Sequence, residues 1–292
     1  MASISIDKTA CIRCGACVNV CIAARVFELT DEGSKAVRPE ACWSCGQCVS
    51  VCPTDAIDHE TFPLEACPIL DNERLPSIDG LTTAFRARRS CRTYEETPVP
   101  RELVRELVSI GRWAPTATNN QNLNWLAFDD RARIDEISAA TVSELTRVAR
   151  LARNPLLRPI VALSYGLQAV RLAKEAGKRA NELSARRASG EDPVLHHAPV
   201  FLIGHSAKGN PFGRDDAIFA TYNMMLAAER HGLTSCQIGF FQIVAEKSAR
   251  LRRLVGIPEG RAPQVALVLG YPRHPFRRLV PRRVPDLSWN PR

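Results

Sequence analysis

Eight cysteines fall within the first 52 residues as one run written twice, Cys11-x-x-Cys14-x-x-Cys17-x-x-x-Cys21 and Cys42-x-x-Cys45-x-x-Cys48-x-x-x-Cys52, at an interval of 31 residues. An internal duplication is the simplest source of this pattern. Thiolates are soft ligands, and spacings this tight point to metal rather than to disulfides. A C-x-x-C-x-x-C loop can wrap three thiolates around three irons of one cube, with the fourth ligand arriving from a distance. A structural zinc ribbon needs two Cys pairs separated by a loop, and leaves the third and fourth Cys of each run without a task. Cubes with all their thiolates in place move single electrons and offer no open iron, so any transformation of a substrate falls to the rest of the chain. The remaining cysteines, Cys67, Cys91 and Cys236, read as buried apolar fillers.

A second group of chemically loaded residues is Arg88-Arg89-Ser90-Cys91-Arg92-Thr93-Tyr94, three guanidiniums around a hydroxyl. This composition suits a phosphate monoester, gripped through charge-assisted bidentate bonds. Alone, the same residues also suit an ordinary solvated face. No G-x-G-x-x-G follows a strand and no G-x-x-x-x-G-K-[ST] occurs, so a Rossmann dinucleotide site and a P-loop are unsupported. His196 and His197 before Ala198-Pro199, and His231 before Gly232, read as caps, packing residues or surface groups, and no general acid is assigned.

The elements that must position these groups are legible in outline. Pro100 to Trp113 carries Leu103, Leu107 and Ile110 on one helical face. Val200–Gly204 and Val265–Gly270 have strand composition, and Asp216–Arg230 is apolar around much of its circumference, as a buried helix is. Residues 61–80 hold Pro63, Pro68 and Pro76 without an apolar period and read as a spacer. Residues 131–190 hold twelve Lys/Arg against five Asp/Glu, with helical spacing through Leu145, Val148 and Leu151 and again through Val170, Leu172 and Ala173. That stretch reads as a solvated basic helical face, or as a rim attracting an acidic substrate or an anionic electron donor.

At 292 residues, 45% hydrophobic and 24% charged, with 16 Gly and 20 Pro, the chain has ordinary globular composition for one or two domains. Net charge is +8, distributed unevenly: the first 62 residues carry five Lys/Arg and eight Asp/Glu, leaving the excess of base to the remainder. Two pieces of different chemistry are joined. The basic surplus comes without a nucleic-acid motif or interleaved aromatics, so no nucleic-acid partner is expected. With no run of 18 apolar residues and no basic-then-apolar start, a soluble cytoplasmic protein without a membrane span is expected.

Across residues 1 to about 62 the cysteine runs, with Gly15 and Gly46 where the loop needs close backbone approach, resemble the bacterial two-cluster ferredoxins. The first run ends Cys21-Ile22, whereas the second ends Cys52-Pro53 in the family manner. The resemblance implies a small pseudo-twofold βαββαβ domain with two [4Fe-4S] clusters and crossed ligation. Cys11, Cys14, Cys17 and Cys52 would hold one cluster, and Cys42, Cys45, Cys48 and Cys21 the other.

Further along, the arginine strip is followed by Ala114-Pro115-Thr116-Ala117-Thr118-Asn119-Asn120-Gln121, then Gly232 to Phe241, Gly270-Tyr271-Pro272, and Arg277-Arg278 to Arg282-Arg283. In this order the segments resemble the FMN-dependent nitroreductase superfamily over about 79–288. Together with the N-terminal unit they are similar to its ferredoxin-fused members. The implied fold is α+β: a ferredoxin-like domain over 1–62, a linker over 63–78, and a nitroreductase-like domain over 79–292. The last would have a mixed sheet flanked by helices, a variable basic helical insertion at 131–195, and an intertwined homodimer.

The resemblance assigns FMN contacts to Arg88, Arg89, Ser90, Arg92, Asn119, Gln121, Gly239, Arg282 and Arg283, with the arginines on the phosphate, Asn119 at the ring edge and the Gly239 N–H at N5. Phe240 stands where a second glycine is common, and Asn122-Leu123-Asn124-Trp125 replaces the usual Pro-Trp. Asn122, Phe240 and Phe241 are therefore candidate pocket residues. The implied activity is an oxidoreductase passing low-potential electrons from the clusters to FMN and then to a nitroaromatic, quinone or activated alkene. A ferredoxin, ferredoxin reductase or similar donor would feed it. Alternatives are an electron-transfer subunit serving a separate catalytic partner, and a flavin-modifying enzyme of the same superfamily.

Overall fold

The computed structural model describes residues 3–154, 156, 159, 163 and 180–290. The chain divides into two compact units, Met1–Pro76 with Thr116–Gln121, and Ser77–Pro115 with Asn122–Arg292.

The first unit runs β1 (Ile4–Ile6), α1 (Ala16–Val20), β2 (Phe27–Thr30), β3 (Gly33–Ala36), α2 (Gln47–Val51) and β4 (Ile57–His59). β1 pairs antiparallel with β4, and β2 with β3, which is the βαββαβ order of a duplicated half. The duplication is also written in the backbone. Arg13 and Ser44 are left-handed at φ 59° and 47°, and Gly15 and Gly46, which cap α1 and α2, at 72° and 74°. A Cβ on either glycine would meet its nearest neighbour at 3.5 Å, an ordinary contact. Glycine is used here for the left-handed turn, not for the close approach expected from the sequence. Val26, Phe27, Val49 and Ile57 form the apolar centre with Cys17 and Cys48, and Cys67 packs against it from outside. Full burial of a side chain such as Ile57 contributes roughly 1.5–3 kcal/mol. Leu64–Ala66 and Asn72–Arg74 form two 3-10 turns before the unit ends at Pro76.

The second unit contains α3 (Ile78–Ala87), α4 (Arg101–Gly111), β5 (Asn124–Phe128), α5 (Arg131–Arg153), a helical stretch at 180–188, β6 (Val200–Ala207), α6 (Gly213–Arg230), β7 (Thr234–Gln237), α7 (Gly239–Ala245), α8 (Ala249–Leu254) and β8 (Arg261–Gly270). Side chains cap three of these helices: Ser77 accepts from the Gly80 N–H, Asp130 from Arg133 and Ser248 from Leu251. The sheet order is β5-β6-β8-β7. Its strand pairs are all antiparallel, and among the described residues the parallel component is an isolated bridge between Ser90 and Ser235.

β6 is buried on both faces, which is why its first half, Val200–Ile203, reads as an unbroken apolar run. Phe201 and Ile203 face one core with Ile134, Ile137, Phe241 and Val268, while Val200 and Leu202 face another with Leu107, Met224 and Leu267. The helix expected over Pro100–Trp113 runs Arg101–Gly111 and buries Val104 and Leu107, with Leu103 and Ile110 half-buried beside them. α5 departs from the solvated insertion expected over 131–195. Ile134 and Ile137 are wholly buried, so the start of that stretch is a core helix lying on the sheet. The spacing through Val170, Leu172 and Ala173 lies outside the described residues. Among the described residues no helix is long and apolar enough to cross a membrane.

Candidate functional site

In the first unit the eight thiols gather as two groups of four. Cys11, Cys14, Cys17 and Cys52 line one cavity with Ile6, Ile12 and Ile57 among its walls. The other group surrounds Cys48: burial pushes its thiol up to about 11, and the nearby sulfurs of Cys42, Cys45 and Cys21 add to that push. The last Cys of each run therefore sits with the first three of the other. Backbone donors converge on these sulfurs, from Val26 to Cys21 at 3.4 Å, Ala56 to Cys52 at 3.2 Å and Ser44 to Cys42 at 3.3 Å. The N–H groups of Ser34 and Arg13 hold the Cys11 thiol below its usual range. Four soft sulfurs in an apolar shell, each group supplied with N–H donors, form a donor set that fits an iron-sulfur cube.

His59 belongs to this neighbourhood although nothing in the sequence marked it. It is 1% exposed and tilted against Phe62 at a centroid distance of 5.0 Å. Its Nδ1 accepts the Thr61 N–H at 3.1 Å and its Nε2 lies 3.6 Å from Cys42 Sγ. Burial holds its pKa below the ordinary imidazole value.

The segment Thr116–Gln121 groups with this unit. Thr118, Asn119 and Gln121 are all left-handed, at φ 53°, 54° and 46°. For a β-branched residue such as Thr118 this conformation is costly, and it persists where surrounding contacts impose it. Asn119 Nδ2 donates to the Ser44 carbonyl at 2.5 Å, so the amide expected at a flavin edge is engaged on the loop between Cys42 and Cys45. The Gln121 N–H donates to Thr116 Oγ1 at 3.1 Å, and Gln121 is exposed.

In the second unit the arginine strip leaves the end of α3. The Cys91 N–H donates to the Ser235 carbonyl at 3.0 Å, and the Ser90–Ser235 bridge fixes the strip alongside β7. Arg88 Nε and Arg89 Nη2 are buried and find no hydrogen-bond partner among the described residues. Arg88 and Arg282 line one open cleft of about 530 Å³, with Phe85, Arg86, Tyr222 and Val280. Glu229 lies close by, unmarked in the sequence. Burial raises its pKa, against the Arg89 N–H and the Arg88 charge that favour the anion. Arg92 is exposed and reaches the Ser90 carbonyl at 3.4 Å. Arg283 is exposed and 3.8 Å from Asp286.

Gly239 opens α7 and is exposed; a Cβ there would meet nothing within 4 Å. The three candidate pocket residues fare differently. Phe241 is fully buried and meets Phe201 edge-on at 5.2 Å, so it packs the core instead of lining a pocket. Phe240 is half-buried against the same core. Asn122 gives both its Oδ1 and its carbonyl to Arg261 at 3.0 Å. The same guanidinium donates to His205 Nδ1 at 2.7 Å and to the His205 carbonyl at 3.0 Å, tying the loop before β5 to β6 and β8.

Residues 85–271 match the nitroreductase family. The chain belongs to that family. Residues 10–56 match a 4Fe-4S dicluster domain. Among curated relatives of this nitroreductase-family protein is the NADH dehydrogenase of Thermus thermophilus, 27% identical over 72% of this chain and 96% of the relative. Another is the chloronitrobenzene nitroreductase of Comamonas testosteroni, 25% identical over 67% and 87%. Among solved structures, an FMN-bound nitroreductase from Desulfitobacterium hafniense superposes with a TM-score of 0.52 at 17% identity, covering 71% of this chain and 96% of its own. The last similarity speaks to fold alone.

Proposed function

We propose that this nitroreductase-family protein is an iron-sulfur flavoprotein that carries low-potential electrons from two [4Fe-4S] clusters to FMN and on to an organic acceptor. The observation that carries the reading is the pair of buried, unpartnered guanidinium atoms on Arg88 and Arg89, at a strip that shares a cleft with Arg282. Buried donors of this kind call for an anion, and a phosphate monoester accepts from several at once.

When bound, FMN supplies the exchange between one-electron and two-electron steps, which the clusters alone lack. Arg88, Arg89 and Arg282 would hold its phosphate, and Ser90 and Arg92 would extend the grip. Gly239 leaves room beside α7 for the ring. Arg261 holds Asn122 and His205 in place. Asn119 fixes the Ser44 loop, so its contribution is to the cluster side. The two groups of four thiols would hold one cluster each, with crossed fourth ligands.

Reduced thiolates suit a cytoplasmic location. The row of exposed apolar residues Phe276, Leu279, Val280, Val284, Leu287 and Trp289 supports a homodimer in which a second copy covers them. The electron donor would be a ferredoxin, a ferredoxin reductase or a similar low-potential protein; the acceptor class is a nitroaromatic, quinone or activated alkene.

Anaerobic purification followed by iron, sulfide and flavin quantitation tests the reading. Eight irons, eight sulfides and one FMN per chain are expected from two cubes and one flavin. Colourless material containing zinc and no flavin overturns it.

A further inference from the structure

The two cysteine loops are braced from different places. Arg13 and Ser44 occupy corresponding positions in the two runs, both are left-handed, and each gives its backbone N–H to the first sulfur of its run. The first loop is held from within its own repeat. Arg13 Nη1 donates to the Asp31 carbonyl at 3.1 Å in the turn between β2 and β3, and the Ser34 N–H of β3 reaches Cys11. The second loop is held from 75 positions away: Asn119 Nδ2 donates to the Ser44 carbonyl, while the Ser44 N–H donates to Cys42 Sγ at 3.3 Å.

Both ends of the Asn119–Ser44 bond sit in left-handed backbone, Ser44 at φ 47° and Asn119 at φ 54°, with the β-branched Thr118 next to it at 53°. Such conformations persist where outside contacts impose them. Inside the turn, the Asn119 N–H donates to the Thr116 carbonyl at 3.0 Å, the Asn120 N–H to the Ala117 carbonyl at 3.1 Å and the Gln121 N–H to Thr116 Oγ1 at 3.1 Å. One isolated turn of this kind is marginal without tertiary support.

We propose that Asn119 is a positioning residue for the cluster held by Cys21, Cys42, Cys45 and Cys48, and that this cluster and the turn Thr116–Gln121 depend on each other. The inference rests on the iron-sulfur reading above and deepens it. A cube fixes Cys42 Sγ, Cys42 Sγ fixes Ser44 through its N–H, and the Ser44 carbonyl gives Asn119 its anchor. Emptying this cube removes the anchor; emptying the cube of Cys11, Cys14, Cys17 and Cys52 leaves it. The next residue, Asn122, begins the second unit and is fixed there by Arg261, so the filled or empty state of one cube reaches that unit through the chain itself.

The test uses the full chain, purified without oxygen. A parent protein without iron refutes the iron-sulfur reading itself. Cys21→Ser and Cys52→Ser each remove a ligand of one cube, and iron counting should find about four irons per chain in both. Hydrogen exchange followed by mass spectrometry then reads the amides of Asn119, Asn120 and Gln121. Exchange at least tenfold faster in Cys21→Ser, with Cys52→Ser matching the parent, is expected. No change in Cys21→Ser, or equal acceleration in both variants, overturns the proposal.

The reverse dependence is read without altering a cysteine. Asn119→Gly accepts the left-handed backbone and removes only the amide. In that variant a chelator should take half of the iron at least tenfold faster than from the parent, and the other half at the parent rate. Placed on Cys52→Ser, the same change should speed the loss of the remaining cube; placed on Cys21→Ser, it should not. Iron released from Asn119→Gly at the parent rate throughout, or faster in both halves, overturns the proposal.

Discussion

Burying a guanidinium N–H without an acceptor costs about 1–3 kcal/mol or more, and Arg88 and Arg89 each carry one such atom. That cost is recovered when an anion arrives. A charged hydrogen bond contributes about 1.5–3 kcal/mol, so Arg88→Ala and Arg282→Ala should each weaken FMN binding by roughly 10- to 100-fold. Fluorescence titration of flavin-stripped protein measures this, and stoichiometric FMN retained in the double variant refutes the phosphate assignment. Cys52→Ser should damage the cluster of Cys11, Cys14 and Cys17 and spare the one in its own run, as EPR with iron counting will show. The residues behind these predictions were legible because spacing and composition are local properties. Glu229, His59 and Arg261 were not, since each acquires its role from a distant partner; Arg261 and Asn122 are 139 positions apart.

Among the elements, α7 tests whether core and pocket have been assigned correctly. Phe241 is wholly buried against Phe201, so Phe241→Ala should destabilise by about 3–5 kcal/mol. Phe240→Ala should cost clearly less, and equal losses in urea denaturation would contradict the packing described. Periodicity revealed α4, and apolar composition revealed α6 and the two central strands, because burial imposes both. It misjudged α5, where a basic outer face masked Ile134 and Ile137.

The turn into β6 adds a pH signature. Burial lowers the His196 pKa from 6.5 to about 4, with neighbouring Arg92 and Arg186 acting in the same direction and Asp192 against it. The unfolded chain therefore takes up the proton first. This contribution is complete above the unfolded pKa and is lost as pH falls from about 6.5 towards 4. Denaturation midpoints across that interval should fall less steeply in His196→Gln than in the parent.

For the whole molecule, two units of opposite charge character share one chain, and the C-terminal run from Phe276 to Trp289 carries six exposed apolar side chains. If a second copy covers them, a chain ending at residue 275 should sediment as a monomer and lose FMN together with Arg282, while keeping all its iron. A truncated protein that remains dimeric places the subunit contact elsewhere. The joining of a cysteine-rich acidic piece to a basic one was plain from composition. The grouping of Thr116–Gln121 with the cysteine-rich unit was not, because it is a consequence of tertiary contacts.

The placement of Cys52 among the first three cysteines, and of Cys21 beside Cys48, makes neither repeat self-sufficient. If each group of four holds a cube, an oxidant that strips one would set loose a residue rooted in the opposite repeat, and injury would spread to the other. Assembly would obey the same dependency, with iron delivery to the two groups a joint event.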